Sequence, residues 1–118
     1  MGNMRSVGAA GEDEAVAYLE QLGYQVLHRN YHCRVGELDA VVRSPEGHVV
    51  FVEVKWRAHD WDGGGIAAVD AKKLQRMRIA AAHWMVEHSE LTSGAPALRF
   101  DVIDVGPDGV RDHVQGVW

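Results

Sequence analysis

Three acids and a lysine stand in two runs that otherwise read as buried β-strand: Gly36-Glu37-Leu38-Asp39 and Phe51-Val52-Glu53-Val54-Lys55. Burying an unpaired carboxylate is costly, so charge in such runs points to pairing or to chemistry. Side chains alternate across a strand. Alternation places Glu37, Asp39 and Val41 on one face of the first run, and Phe51, Glu53 and Lys55 on one face of the second. Arg57 returns to that face, where it can meet a phosphate. Ser44-Pro45-Glu46-Gly47 is a turn cluster, so residues 36–43 and 48–57 form a hairpin. Centred near Glu46, antiparallel pairing sets Asp39 opposite Glu53 and Glu37 opposite Lys55, and a slip of two keeps the same faces. Facing carboxylates repel. A divalent cation between them removes the conflict, and carboxylate oxygens with water suit Mg²⁺ or Mn²⁺. Lys55 can then hold an attacking water and neutralise charge on a phosphodiester. The plainer reading is a Glu37–Lys55 ion pair on an exposed face. The second run argues against it, being valine-rich and apolar on both faces, as a central strand is.

The elements that must position these groups follow from the flanking sequence. Residues 4–22 read as an amphipathic helix, with Ala15, Val16, Leu19 and Leu22 at helical spacing and Gly23 as its stop. Glu12 precedes Ala15, Val16 and Leu19 by three, four and seven positions, on or beside the apolar stripe. By spacing alone it is a boundary glutamate with its head in water. Residues 24–32 suggest a strand, and His28 and His32 in it read as structural or surface residues. Residues 58–65, with Gly63-Gly64-Gly65, read as a loop too poorly preorganised to ligate a metal. Residues 66–90 form a second helix. Ile66, Val69, Leu74, Met77, Ala80, Ala81, Trp84 and Met85 are its apolar positions, and Lys72, Lys73, Arg76 and Arg78 crowd its first half. That basic run is either a solvated face or a phosphate-binding one. Residues 98–105 are a further strand, 106–109 a turn, and 110–118 a final strand or tail.

The whole chain of 118 residues reads as a single domain, 47% apolar and 25% charged. Its one cysteine, Cys33, excludes a disulfide framework and a zinc site. No apolar run reaches the ~18 residues of a membrane span, and residues 1–11 carry no signal-peptide core. The expectation is a cytoplasmic protein with no membrane partner.

Acid followed by Glu-x-Lys across a hairpin, in the order α β β β α β and then β, resembles the PD-(D/E)xK nuclease superfamily. More closely, the chain resembles the YraN-like family of small bacterial endonuclease-like proteins, related to archaeal Holliday junction resolvases. The likeness runs over most of the chain. It is carried by Gly8-Ala9-Ala10-Gly11-Glu12, Arg29-Asn30-Tyr31, Gly36-Glu37-Leu38-Asp39, Phe51-Val52-Glu53-Val54-Lys55 with Arg57, Lys73, and Arg99-Phe100-Asp101. It implies an α/β, restriction-endonuclease-like αβββαβ core: a central mixed sheet flanked by helices. Asp39 matches the first metal-binding acid, Glu53 the second and Lys55 the catalytic lysine. Glu12 matches a helix glutamate that reaches the metal or its waters, and Lys73 a basic residue facing the substrate. Leu38 stands where the superfamily has proline. Glu37 matches no assured role and is left as a supporting residue behind the ligands.

The resulting expectation is a Mg²⁺- or Mn²⁺-dependent endodeoxyribonuclease acting on branched or flapped DNA in repair or recombination. Arg57, Lys72, Lys73 and Arg76 supply its phosphate contacts, and a homodimer suits a junction with paired strands. The net charge of −5 opposes unspecific nucleic-acid binding, and the basic run with a bound cation answers this only in part. The alternative is a catalytically silent module on the same fold, binding nucleic acid or protein.

Overall fold

The computed structural model describes residues 7–56 and 70–117. Its core is a mixed five-stranded sheet in the order β1-β2-β3-β4-β5. The strands are β1 (Gln25–Cys33), β2 (Gly36–Arg43), β3 (Val49–Trp56), β4 (Leu98–Gly106) and β5 (Gly109–Gln115). Helix α1 (Val7–Gln21) precedes them, and α2 (Ala71–Glu87) and the short α3 (Ser89–Thr92) lie between β3 and β4. All neighbouring strands are antiparallel except β3 and β4, which are parallel and joined by the α2 crossover. The α/β class and the predicted element order hold, the final strand β5 included, with the short α3 added.

β3 is the middle strand, and its sequence explains why. Val49 and Phe51 enter a core shared with Met77, Ala80, Ala81 and Trp84 of α2. Val50 and Val52 enter a second core shared with Ala15 and Leu19 of α1. A strand with helices on both faces must be apolar on both, so each charge on it needs its own account.

α1 ends in a glycine-dependent cap. Gly23 takes φ +92°, its N–H donates to the Glu20 carbonyl, and the Tyr24 N–H donates to Leu19. The chain therefore turns away one residue early, and Leu22, expected in the apolar stripe, is half exposed. α2 is shorter than the predicted 66–90. Asp70 caps its start by accepting from the Lys73 N–H at 2.8 Å, and the helix breaks at His88, at φ −131° and ψ 44°. Ile66 and Val69, predicted in this helix, lie outside the described residues. The start of β2 runs against α2 closely enough that a Cβ on Gly36 would stand 2.4 Å from the Arg76 carbonyl oxygen. Only glycine permits that approach, which brings the basic end of α2 to the acidic end of the hairpin. No helix among the described residues is long and apolar enough to cross a membrane.

Candidate metal centre

The hairpin has the predicted register: Ala40 pairs with Val52, Val41 with Phe51, Val42 with Val50 and Arg43 with Val49. The ladder does not continue to Asp39 and Glu53. Instead, the Asp39 side chain replaces the missing ladder acceptor, with Oδ2 2.7 Å from the Val54 N–H. The face expected for Glu37, Asp39 and Val41 is not kept. Leu38 and Val41 pack in the core beneath α2, while Ala40 packs in the core beneath α1. Alternation breaks at Asp39, so its meeting with Glu53 rests on a local irregularity and not on a regular pleat.

Glu53 is buried, 3% exposed. Its Oε2 accepts from two ammonium groups, Lys55 Nζ at 3.1 Å and Lys73 Nζ at 3.2 Å. Its Oε1 is buried and receives no N–H donor, while the adjacent Asp39 carboxyl, when protonated, hydrogen-bonds to Glu53. Such an atom costs free energy until something positive reaches it. Asp39 shows the same tension. Burial first, and then the adjacent Glu53 charge, push its carboxyl up to about 8, against the Val54 N–H that favours the anion. Glu12 adds to the repulsion. The donor set is all carboxylate oxygen, which hard divalent cations prefer. No three acidic, histidine or cysteine side chains among the described residues converge on one point. Asp39 and Glu53 would therefore hold a cation as a pair, with water completing its shell, as Mg²⁺ accepts.

Glu12 is brought to the site by α1. Burial raises its carboxyl, opposed by Arg29, by the Asn30 amide and by a hydrogen bond with Asp39. Its Oε1 lies 3.8 Å from Arg29 Nη2, which binds Asp13 Oδ1 more closely at 2.8 Å. Lys73 does not stand on an outer face: its ammonium is on Glu53, inside the site. Lys72 is exposed. Arg76, Lys73 and Glu37 line a cleft of about 360 Å³ between the β1–β2 turn and α2, with Val35 and Met77 as its apolar wall. Glu37 does not meet Lys55; it is half exposed and paired with His32, its Oε2 3.3 Å from Nδ1. Arg57 lies outside the described residues, as does the 58–65 loop. His28 is structural, its Nδ1 accepting from the Trp84 indole N–H at 3.0 Å.

Sequence reasoning missed two features. Arg29 and Asn30 face Glu12, and the signal was there in Asn30, a poor strand former inside a strand. The other is a buried network round Asp101, to which Arg99 donates twice, Nε to Oδ1 and Nη2 to Oδ2, both at 2.9 Å. His113 Nε2 is 2.8 Å from Oδ2, and the Tyr18 hydroxyl 2.9 Å from His113 Nδ1.

The uncharacterised protein family UPF0102 matches residues 11–105. The chain belongs to this family. A UPF0102 protein of Mycobacterium sp. (strain JLS) is 46% identical over 101 residues, covering 85% of this chain and 73% of the relative. One from Cupriavidus necator is 40% identical over 113 residues, covering 96% and 82%. One from Mycolicibacterium gilvum is 44% identical over 116 residues, covering 94% and 92%. Among solved structures, "Structure of EndoMS-dsDNA2 complex" contains a chain with a TM-score of 0.44 and 15% identity; the match covers 90% of this chain and 37% of that one.

Proposed function

We propose that this protein is a divalent-metal-dependent endodeoxyribonuclease whose centre is Asp39, Glu53 and Lys55. The observation that carries the reading is the state of Glu53: buried, with two lysines on one oxygen, none on the other, and a second, partly buried acid beside it. A purely structural ion pair would satisfy both oxygens.

Asp39 and Glu53 are the groups that would hold Mg²⁺ or Mn²⁺. The bound ion supplies Lewis-acid stabilisation of the phosphate and lowers the pKa of a coordinated water. Lys55, bound to the same carboxylate, would orient the attacking water and offset charge developing on the phosphoryl oxygens. Lys73, on the same Glu53 oxygen, would be a second cation available to a phosphate beside the acids. Arg76 extends this cationic edge along the cleft, which gives a single strand a path past the acids. Glu37 and His32 stand on the opposite rim. A cleft of this size takes one strand more readily than a duplex, which favours flapped or branched DNA over an intact helix.

The test is cleavage of flapped, branched and duplex DNA with Mn²⁺ and with chelator, using wild type, Lys55→Ala and Asp39→Asn. The expected result is Mn²⁺-dependent cleavage of the branched forms, lost in both variants. Equal cleavage by all three proteins means a contaminant and ends this mechanism. Tight DNA binding without cleavage in any metal would make the chain a silent binding module.

A further inference from the structure

Asn30 is the only non-glycine residue with positive φ among the described residues, at φ 56°. It lies inside β1, where extended angles are the rule, and such outliers persist only when the surroundings hold them. The ladder pairs Arg29 with Ala40 and Tyr31 with Leu38, so Asn30 faces Asp39 across the two strands. Both strands switch faces at this point. In a regular strand Arg29 and Tyr31 would share a face. Here the Arg29 guanidinium reaches Asp13 on α1 at 2.8 Å, while the Tyr31 hydroxyl donates to Glu87 on α2 at 3.0 Å. On β2, Leu38 and Ala40 likewise enter opposite cores. The left-handed residue is what turns Arg29 towards α1, and it leaves the Asn30 carboxamide beside Glu12.

We infer that Asn30 is a positioning residue: its carboxamide, held opposite Asp39 by a left-handed backbone, fixes Glu12 against the Asp39–Glu53 pair. Arg29 anchors the same helix turn through Asp13 and gives Glu12 a more distant positive neighbour. Glu12 would otherwise be drawn to Arg29 or to water. With Asn30 in place it remains a third acid within reach of the centre. The functional consequence rests on the metal-site reading above; the Asn30–Glu12 contact does not.

Asparagine also tolerates this backbone region better than most residues, which is a simpler role. Asn30→Gly separates the two. Glycine accepts the backbone at no steric cost but lacks the carboxamide. The experiment uses the full chain as wild type, Asn30→Gly, Glu12→Gln and the double variant. It reads Mn²⁺ affinity by calorimetry and the metal-free melting temperature by circular dichroism. The expected result is a Mn²⁺ affinity about tenfold weaker in Asn30→Gly, within the range seen when a ligand's supporting partner is removed. Glu12→Gln should weaken it similarly, and the double variant no further. In metal-free protein the two substitutions should be non-additive in melting temperature, as contacting residues are. An Asn30→Gly protein with wild-type Mn²⁺ affinity assigns Asn30 to the backbone alone and overturns the inference. If wild type binds no Mn²⁺, the metal-site reading fails, and the metal-free cycle still decides the contact: strict additivity overturns it.

Discussion

Two acidic centres in the sheet are built in opposite ways. Asp101 is fully buried and fully served. Arg99 donates to both its oxygens, His113 Nε2 donates to Oδ2, and the Gly116 N–H lies 3.3 Å from Oδ1. A carboxylate can only accept, so His113 carries a proton on Nε2, and its Nδ1 lies 2.9 Å from the Tyr18 hydroxyl. Arg99 also donates to the Tyr24 hydroxyl at 2.8 Å. Burial alone would raise the Asp101 carboxyl, but the His113 and Arg99 hydrogen bonds outweigh it and hold it below the ordinary range. Asp39 has one backbone donor, two acidic neighbours and a carboxyl raised to about 8. The first centre ties α1, the α1–β1 connection, β4 and β5 together. The second holds two acids side by side, their repulsion kept off by a proton on Asp39, and such conflict is expected where function overrides stability.

The largest effect should come from breaking the satisfied centre. Asp101→Ala leaves the partly buried Arg99 and His113 without their partner and should cost about 3–5 kcal/mol, read as a lower urea midpoint at unchanged slope. That is a large part of the 5–15 kcal/mol typical of a domain. A loss below about 1 kcal/mol would mean that the network is dispensable.

The opposite sign is expected at the frustrated centre. The folded pKa of Asp39 lies above its unfolded value near 4. The stability linked to its proton is therefore fully present below about pH 4 and lost as pH rises through about 8. Asp39→Asn keeps a neutral side chain at every pH. Metal-free Asp39→Asn should melt higher than wild type at pH 8–9, by on the order of 4 °C for about 1 kcal/mol, and the gain should vanish near pH 4. Asp101 runs the other way. Its folded pKa is lowered, so its contribution is present above the unfolded value and is lost as pH falls through the folded one. A thermal-melt series from pH 3 to 9 on wild type and Asp39→Asn checks both slopes.

The smallest effect is expected at Glu37, which shares a strand with Asp39 but not its setting. Its pair with His32 is half exposed, and Glu37→Gln should change stability by no more than about 0.5 kcal/mol and leave Mn²⁺ binding intact. Loss of Mn²⁺ binding in Glu37→Gln would restore it to the centre.

Much of this contrast could be read in the sequence, and unevenly. The turn at Ser44–Gly47, the two-sided valines of β3 and the spacing of Asp39, Glu53 and Lys55 were enough to find the hairpin, its register and the acidic pair. Local pattern could not show where regularity fails. Simple alternation put Glu37 beside Lys55, but the face switch at Asn30 and Asp39 sends Glu37 to His32. By helix position Lys73 was one of several cations in a basic run, and by resemblance one facing the substrate. Its place on Glu53 depends on Gly36 letting α2 approach β2, a contact between distant parts of the chain. The Asp101 network joins α1 to the last strand through residues 95 and 12 positions apart, which no window of sequence contains.

The most direct test of the centre is a calorimetric titration of the metal-free protein with Mn²⁺ at pH 7, run in two buffers of different ionisation enthalpy. Because the Asp39 carboxyl keeps its proton up to about pH 8, binding between Asp39 and Glu53 must expel it. The predicted result is saturable binding whose heat shifts between buffers by the amount for a released proton, with Asp39→Asn abolishing both the binding and the release. No binding by wild type, or binding of equal affinity and without proton release in both proteins, would contradict it.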